Sequence, residues 1–142
     1  MFQISHALSV AQEVYKFTHY DLHSNNIMVK KCSKNLVVLY ILDNNVRYVV
    51  PTLGYYPIII DFGFSYTDEL SGRYLYSSMN HTDMGFTSDR FDPYADTKIF
   101  LVTVSDEIHS KFKSKNSSKL VNITKNIFDK IEVGNCIIFQ FQ

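Results

Sequence analysis

Several things are scarce in this chain, and each scarcity narrows its function. Among 142 residues there is no tryptophan, and there are only three prolines, five glycines and two cysteines. The cysteines, Cys32 and Cys136, show no C-x-x-C spacing, which argues against a disulfide scaffold and against a cysteine-rich zinc module. Net charge is missing too: 14 basic residues balance 14 acidic ones, so there is no general basic footprint for nucleic acid or for an anionic membrane. No apolar run approaches the roughly 18 residues of a membrane span, and Met1–His6 lacks the basic-then-apolar order of a signal peptide. We therefore expect a cytoplasmic protein that engages neither nucleic acid nor membrane. The glycines (Gly54, Gly63, Gly72, Gly85 and Gly134) are too scattered to form a G-x-G-x-x-G phosphate loop.

What is present is enough for one compact domain over residues 1–142. Hydrophobic residues make up 46% and charged residues 20%, with ten Tyr and eleven Phe, a composition that folds around an aromatic-rich core. Ile4, Leu8, Ala11 and Val14/Tyr15 recur at helical spacing and predict an inward-facing stripe on a helix over 4–16. The polar, aperiodic residues 19–26 read as a loop, followed by a short strand, Ile27-Met28-Val29. Residues 36–50 read as a hairpin turning at Asp43-Asn44-Asn45, and Tyr55–Ile60 as a buried strand. Residues 64–91 form a long segment of little periodicity. Asp92-Pro93 is a good helix start; the helix over about 92–111 is apolar nearly all round at 99–104, so we expect it to be buried on every side, with a buried strand as the competing reading. Residues 111–119 read as a solvated loop. Leu120, Ile123, Ile127, Phe128 and Ile131 then form the apolar stripe of a last helix capped at Gly134, and residues 137–141 form a terminal strand or truncated helix.

Two stretches carry chemistry: Thr18–Val29, with a His, an Asp, a second His and an Asn in quick succession, and Pro57–Gly63. Phosphoryl transfer needs a carboxylate to orient the attacking hydroxyl and hard oxygen ligands to hold Mg²⁺ against the phosphates. Asp21 can supply the first, and Asn26 and Asp61 the second. The five-residue step from Asp21 to Asn26 lets one loop present both side chains, while Gly63 offers backbone freedom just after Asp61. A different chemistry is also open. His19, Asp21 and His23 alternate, and on a strand they would face one side, where they could hold a transition metal for hydrolysis.

His19-Tyr20-Asp21-Leu22-His23-Ser24-Asn25-Asn26 resembles the H-R-D-L-x-x-x-N catalytic loop of protein kinases, and Asp61-Phe62-Gly63 matches D-F-G. Together with Gly54-Tyr55-Tyr56-Pro57, the wording of Thr18–Asn26 is similar to kinase-like proteins of large DNA viruses. The resemblance implies an α+β fold, the mainly helical large lobe of a protein-kinase-like domain with a small β-hairpin region. It also implies ATP and Mg²⁺ as cofactors and, for a viral protein, the host cytoplasm. By the same resemblance Asp21 is the catalytic base, Asn26 and Asp61 are metal ligands, and His23 approaches the transferred phosphate. His19, Phe62 and Gly63 are structural, and Asp96, with Asp92 as the alternative, holds the catalytic loop from below. Residues 18–29 are then the catalytic loop, 36–50 an inserted hairpin, 61–63 the D-F-G, 64–91 an activation-like segment and 92–111 the central helix.

The departures are informative. Only residues 1–18 precede His19, so we expect these 142 residues to lack the small lobe, its phosphate-pairing Lys and the orienting Glu, and no nucleotide-binding residues are identifiable. Tyr20 stands where an Arg would read a phosphorylated activation loop, so that mode of switching is not expected. No A-P-E motif closes residues 64–91. The expected function is ATP-dependent phosphoryl transfer to a protein hydroxyl, as in a serine/threonine kinase, weak or inactive in the isolated chain and completed by a small-lobe or neighbouring chain. The acceptor stays open among Ser/Thr, Tyr and a small molecule. A non-catalytic, pseudokinase-type binding module, or a fragment of a split kinase, is the main alternative.

Overall fold

The computed structural model describes residues 1–42, 45–70 and 88–128, apart from the side chains of residues 70 and 128. It is a mixed helix-and-sheet chain: α1 (Phe2–Tyr15), β1 (Ile27–Lys31), β2 (Val37–Ile41), β3 (Arg47–Pro51), β4 (Tyr55–Ile59), α2 (Ala95–Lys111) and α3 (Lys115–Phe128). Short 3₁₀ turns occupy Ser24–Asn26 and Asp68–Leu70. No described helix is long and apolar enough to cross a membrane.

The strands form two antiparallel pairs, β1 with β4 and β2 with β3. In the first, Ile27 lies opposite Ile59 and Met28 opposite Ile58. Side chains alternate across a strand, and here the alternation separates two faces. Ile27 and Ile59 pack on a core of Ile4, Leu8, Leu22 and Phe100, whereas Met28 and Ile58 point away from it and are exposed. The hairpin behaves similarly. Tyr40 and Tyr48 lie against Phe2, with ring centroids 5.0 and 5.5 Å away, while Leu39 and Val49, paired on the opposite face, are exposed. The turn at residues 43–44 lies outside the described residues.

Several sequence expectations change. On α1, Ile4 and Leu8 are buried but Val14 and Tyr15 are exposed, so the inward stripe ends near Ala11; Lys16, left-handed at φ 48°, closes the helix by donating its N–H to the Gln12 carbonyl. The apolar run 99–104 is helix, not strand, and only its first part is enclosed: Ile99 and Phe100 are buried and residues 101–104 half-buried. The Asp92 carboxylate accepts the N–H groups of Tyr94 and Ala95 and caps α2, although the helix itself begins at Ala95. Residues 115–119 are not a solvated loop but the first turn of α3. Ser114 and Ser117 bond reciprocally, each hydroxyl accepting the other's backbone N–H at 2.9 and 3.1 Å, a capping arrangement that starts a helix. The buried side of α3 carries Ser117 and Thr124, while Ile123 and Ile127 are exposed. The expected cap at Gly134, the terminal segment 137–141 and Cys136 lie outside the described residues, as do positions 71–87 of the activation-like segment.

Candidate phosphoryl-transfer site

The site is built on the loop between α1 and β1. Leu22 is fully buried among Ile4, Leu8 and Phe100 and anchors the loop between two helices. Below the loop lies Asp96, in the first turn of α2 and itself fully buried. Its two carboxylate oxygens accept the N–H groups of His19 and Tyr20, each at 2.8 Å. Tyr20 has φ +66°, an uncommon region for a bulky residue. A left-handed residue lets consecutive N–H groups converge on one anion, so the buried carboxylate offsets the backbone strain. Burial pushes the Asp96 carboxyl up to about 6, against the opposing pull of the His19 and Tyr20 N–H groups. Asp92, the other residue considered for this role, instead caps α2.

His19 is also fully buried and joins the two halves of the site. Its Nε2–H donates to the Ile60 carbonyl at 2.9 Å, and its Nδ1 accepts the Asp21 N–H at 3.3 Å. These roles fix the tautomer. Burial holds its pKa below the ordinary value, opposed by the Ile60 carbonyl and by the Asp21 and Asp61 carboxylates, so both carboxylates act on one imidazole. With each ring nitrogen bonded to main chain, His19 has no lone pair left for a metal. Residues 19–23, moreover, are not a strand. The His19/Asp21/His23 metal-hydrolase reading is therefore not supported. Nor does any group of three or more His, Cys, Asp or Glu among the described residues suit a metal ion.

Asp21 and Asn26 are locked together. Asn26 Nδ2 donates to the Asp21 backbone oxygen at 2.8 Å and to its Oδ2 at 3.0 Å. His23 Nδ1 accepts the Asn25 N–H at 3.2 Å, and its Nε2 lies 3.5 Å from the same Oδ2 and 3.4 Å from Asn26 Nδ2. Among the described residues, Asp21 Oδ1 and Asn26 Oδ1 have no hydrogen-bond partner. Asn26 is tied across the ladder by the Ile60 N–H, which donates to its backbone oxygen at 3.0 Å, and Asp61 follows Ile60 directly. Asp61 is exposed and left-handed at φ +64°, a conformation Asp tolerates better than most residues. The unusual backbone is thus at Asp61 itself and not, as the sequence suggested, at Gly63, whose N–H donates to Asp61 Oδ1 at 3.4 Å. Phe62 packs at 5.3 Å on the His19 ring and at 6.1 Å on Phe17.

Chemically the donors suit a hard cation. Asn26 Oδ1 and the Asp61 carboxylate are oxygen ligands from neighbouring ends of the β1–β4 ladder, and Mg²⁺ keeps its remaining positions for water and phosphate. The sequence reading missed Met28 and Ile58, an exposed apolar pair further along that ladder; strand alternation counted from Ile27 is the signal that finds them. It also missed the Tyr20 hydroxyl, which donates to the Arg90 carbonyl at 2.6 Å. A separate open cleft of about 400 Å³, lined by Ile4, Val29, Tyr55, Phe100 and Glu107 among others, includes none of Asp21, Asn26 and Asp61.

The chain is 37% identical over 105 residues to the protein named Uncharacterized protein 098R of Invertebrate iridescent virus 6, covering 72% of this chain and 17% of that protein. It is 32% identical over 129 residues to Uncharacterized protein 038R of Invertebrate iridescent virus 3, covering 87% and 23%. At 29% identity over 159 aligned positions, 99% of the chain matches 29% of a protein of the same virus named Probable kinase 098L. The chain thus spans between about a sixth and a third of the length of these curated relatives. No protein-family model matches it. Its relatives are viral, and one of them bears the name of a kinase.

Proposed function

We propose that residues 1–142 are the large-lobe portion of a protein-kinase-like phosphotransferase, transferring phosphate from ATP to a protein hydroxyl. The observation that carries this is the His19 bridge. One buried ring ties the Asp21–Asn26 loop to the strand leading into Asp61, so a carboxylate base and two oxygen ligands come from one stitched unit. The kinase name of one viral relative supports the same reading.

Within it, Asp21 Oδ2 is held by Asn26 and His23, and Oδ1 is the oxygen open to an acceptor hydroxyl, which it would orient and deprotonate. His23 Nε2, beside that carboxylate, would meet the transferred group. Asn26 and Asp61 would hold Mg²⁺, which when bound neutralises charge on the phosphate oxygens. Met28 and Ile58 offer an apolar floor for a base. No phosphate loop or phosphate-pairing Lys is recognisable in the sequence, and positioning supplies much of the rate in this chemistry. The isolated chain is therefore a weak or inactive kinase, completed by a nucleotide-clamping segment of a longer polypeptide or of a neighbouring chain.

A second reading, a pseudokinase-type module that binds nucleotide without transfer, draws on the lack of a recognisable phosphate loop or phosphate-pairing Lys in the sequence; the exposed Met28–Ile58 floor serves both readings. Incubation with Mg-[γ-³²P]ATP and casein separates the two. The expected transfer is far below the roughly 1–100 s⁻¹ of complete kinases, and Asp21→Asn lowers it a further ~100-fold or more. Transfer that is indifferent to Asp21→Asn refutes the assignment of the base. Binding with no transfer at all supports the module, while fast transfer by the isolated chain refutes its inactivity.

A further inference from the structure

Residues 90–93, which lead into α2, are each engaged by a residue from the end of α1 or the catalytic loop. The Arg90 carbonyl accepts the Tyr20 hydroxyl at 2.6 Å. The Phe91 ring lies under the Lys16 ammonium, 5.8 Å from its centroid. Asp92 donates its N–H to Thr18 Oγ1 at 3.0 Å, and its carbonyl accepts the Thr18 hydroxyl at 3.1 Å. The Pro93 carbonyl accepts Gln12 Nε2 at 3.1 Å. Thr18 and Tyr20 are buried, and Asp96 holds Tyr20 from below through its backbone N–H.

From this stitching we propose that Tyr20 is a positioning residue that fastens residues 90–93 to the catalytic loop permanently. It rests on the kinase-like reading above and concerns the regulation of that site: the segment entering α2 is docked on Thr18 and Tyr20, at the start of the loop that carries Asp21, without any covalent modification. All these contacts are hydrogen bonds between neutral groups or a ring contact, and none needs a phosphate. The surroundings do not favour one either. The carboxylates of Asp89, Asp92 and Asp96 lie around the Tyr20 phenol, with Arg90 as its nearby cation, and the Arg90 guanidinium is itself 3.4 Å from Asp89. Burial and then the Asp92 carboxylate push the phenol's pKa up, so the hydroxyl stays a donor across the working pH range. The residue in the phosphate-reading position has thus become a direct, permanent fastening.

The carbonyl that Tyr20 holds belongs to the bond trypsin cuts after Arg90, which makes the fastening directly measurable. In the folded wild-type chain the Arg90–Phe91 bond is expected to be cut at least ~10-fold more slowly than in a synthetic peptide of residues 86–95, because cleavage needs local opening. Equal rates overturn the proposal without any variant. Tyr20→Phe removes only the hydroxyl and leaves the part-buried Arg90 carbonyl without that donor. It should raise cleavage at Arg90 by about 10-fold while leaving cleavage at Arg47–Tyr48 unchanged. A Leu8→Ala variant, destabilised in the core instead, should accelerate both sites alike. If Tyr20→Phe also accelerates both alike, or neither, Tyr20 is a packing residue and the proposal fails. The cleavage contrast is read without nucleotide, so it is decided separately from whether the chain transfers phosphate.

Discussion

Replacing Asp96 by Asn tests the foundation of the loop that carries Asp21 and Asn26. Asp96 is fully buried and accepts two N–H groups at 2.8 Å, and burial raises its carboxyl from the ordinary 3.8 to about 6. A group whose pKa is higher in the folded state favours folding when protonated. Its contribution is fully present below about 3.8 and is lost as pH rises through about 6. The rise from 3.8 to about 6 is worth about 3 kcal/mol at full ionisation, of which about 2 kcal/mol falls between about pH 4.5 and 7.5. The Asn side chain keeps one acceptor but turns an NH₂ toward the other backbone donor, at a cost of about 1–3 kcal/mol, and it does not titrate. Urea denaturation of both proteins at the two pH values gives the stability gap at each. The wild-type advantage should narrow by about 2 kcal/mol from pH 4.5 to pH 7.5, and other titrations should largely cancel in the difference. A gap that is constant, or that widens with pH, would refute the claim that Asp96 sits as a costly buried anion under the loop.

Two further outcomes bear on the same loop. Leu22→Ala empties a fully enclosed site shared by both helices and should cost about 2–5 kcal/mol in urea denaturation; a loss under about 1 kcal/mol would mean that the loop is not anchored there. His19, held below its ordinary 6.5 by burial, should titrate below that value when its ring protons are followed by NMR. The matching stability is present above pH 6.5 and lost as pH falls, opposite in sign to the Asp96 effect; a midpoint at or above 6.5 would contradict the buried neutral ring.

Much of this arrangement could be read from residue types. The Asp21-to-Asn26 step, the apolar strand running into Asp61 and the periodicity of Ile4 and Leu8 are local signals, and each lies on the element or loop they indicate. What stayed hidden depends on partners distant in sequence. Nothing near Tyr20 announces that its hydroxyl ends on a carbonyl seventy residues later. Gly63 drew attention because glycine is the usual left-handed residue, yet the turn falls on Asp61, whose side chain can accept the Gly63 N–H. On α3 the hydrophobic stripe pointed the wrong way. Ile123 and Ile127 are exposed while Thr124 is buried, and the serine capping pair in Ser114-Lys115-Asn116-Ser117 that starts the helix has the same composition as a polar loop.

The most direct test of the central claim, that Asn26 and Asp61 hold a metal-bound phosphate, is a thermal-shift titration with Mg-ATP on the wild-type chain and on Asp61→Ala. Asp61 is exposed and outside the core, but Ala fits its left-handed backbone less well than Asp, so each protein's shift is read against its own ligand-free Tm. At ten times Kd the wild type should gain about 1.4 kcal/mol, seen as a rise in Tm of about 3–6 °C that vanishes when EDTA replaces Mg²⁺ and is absent in Asp61→Ala. An equal rise in both proteins, or one that persists without Mg²⁺, would contradict the account.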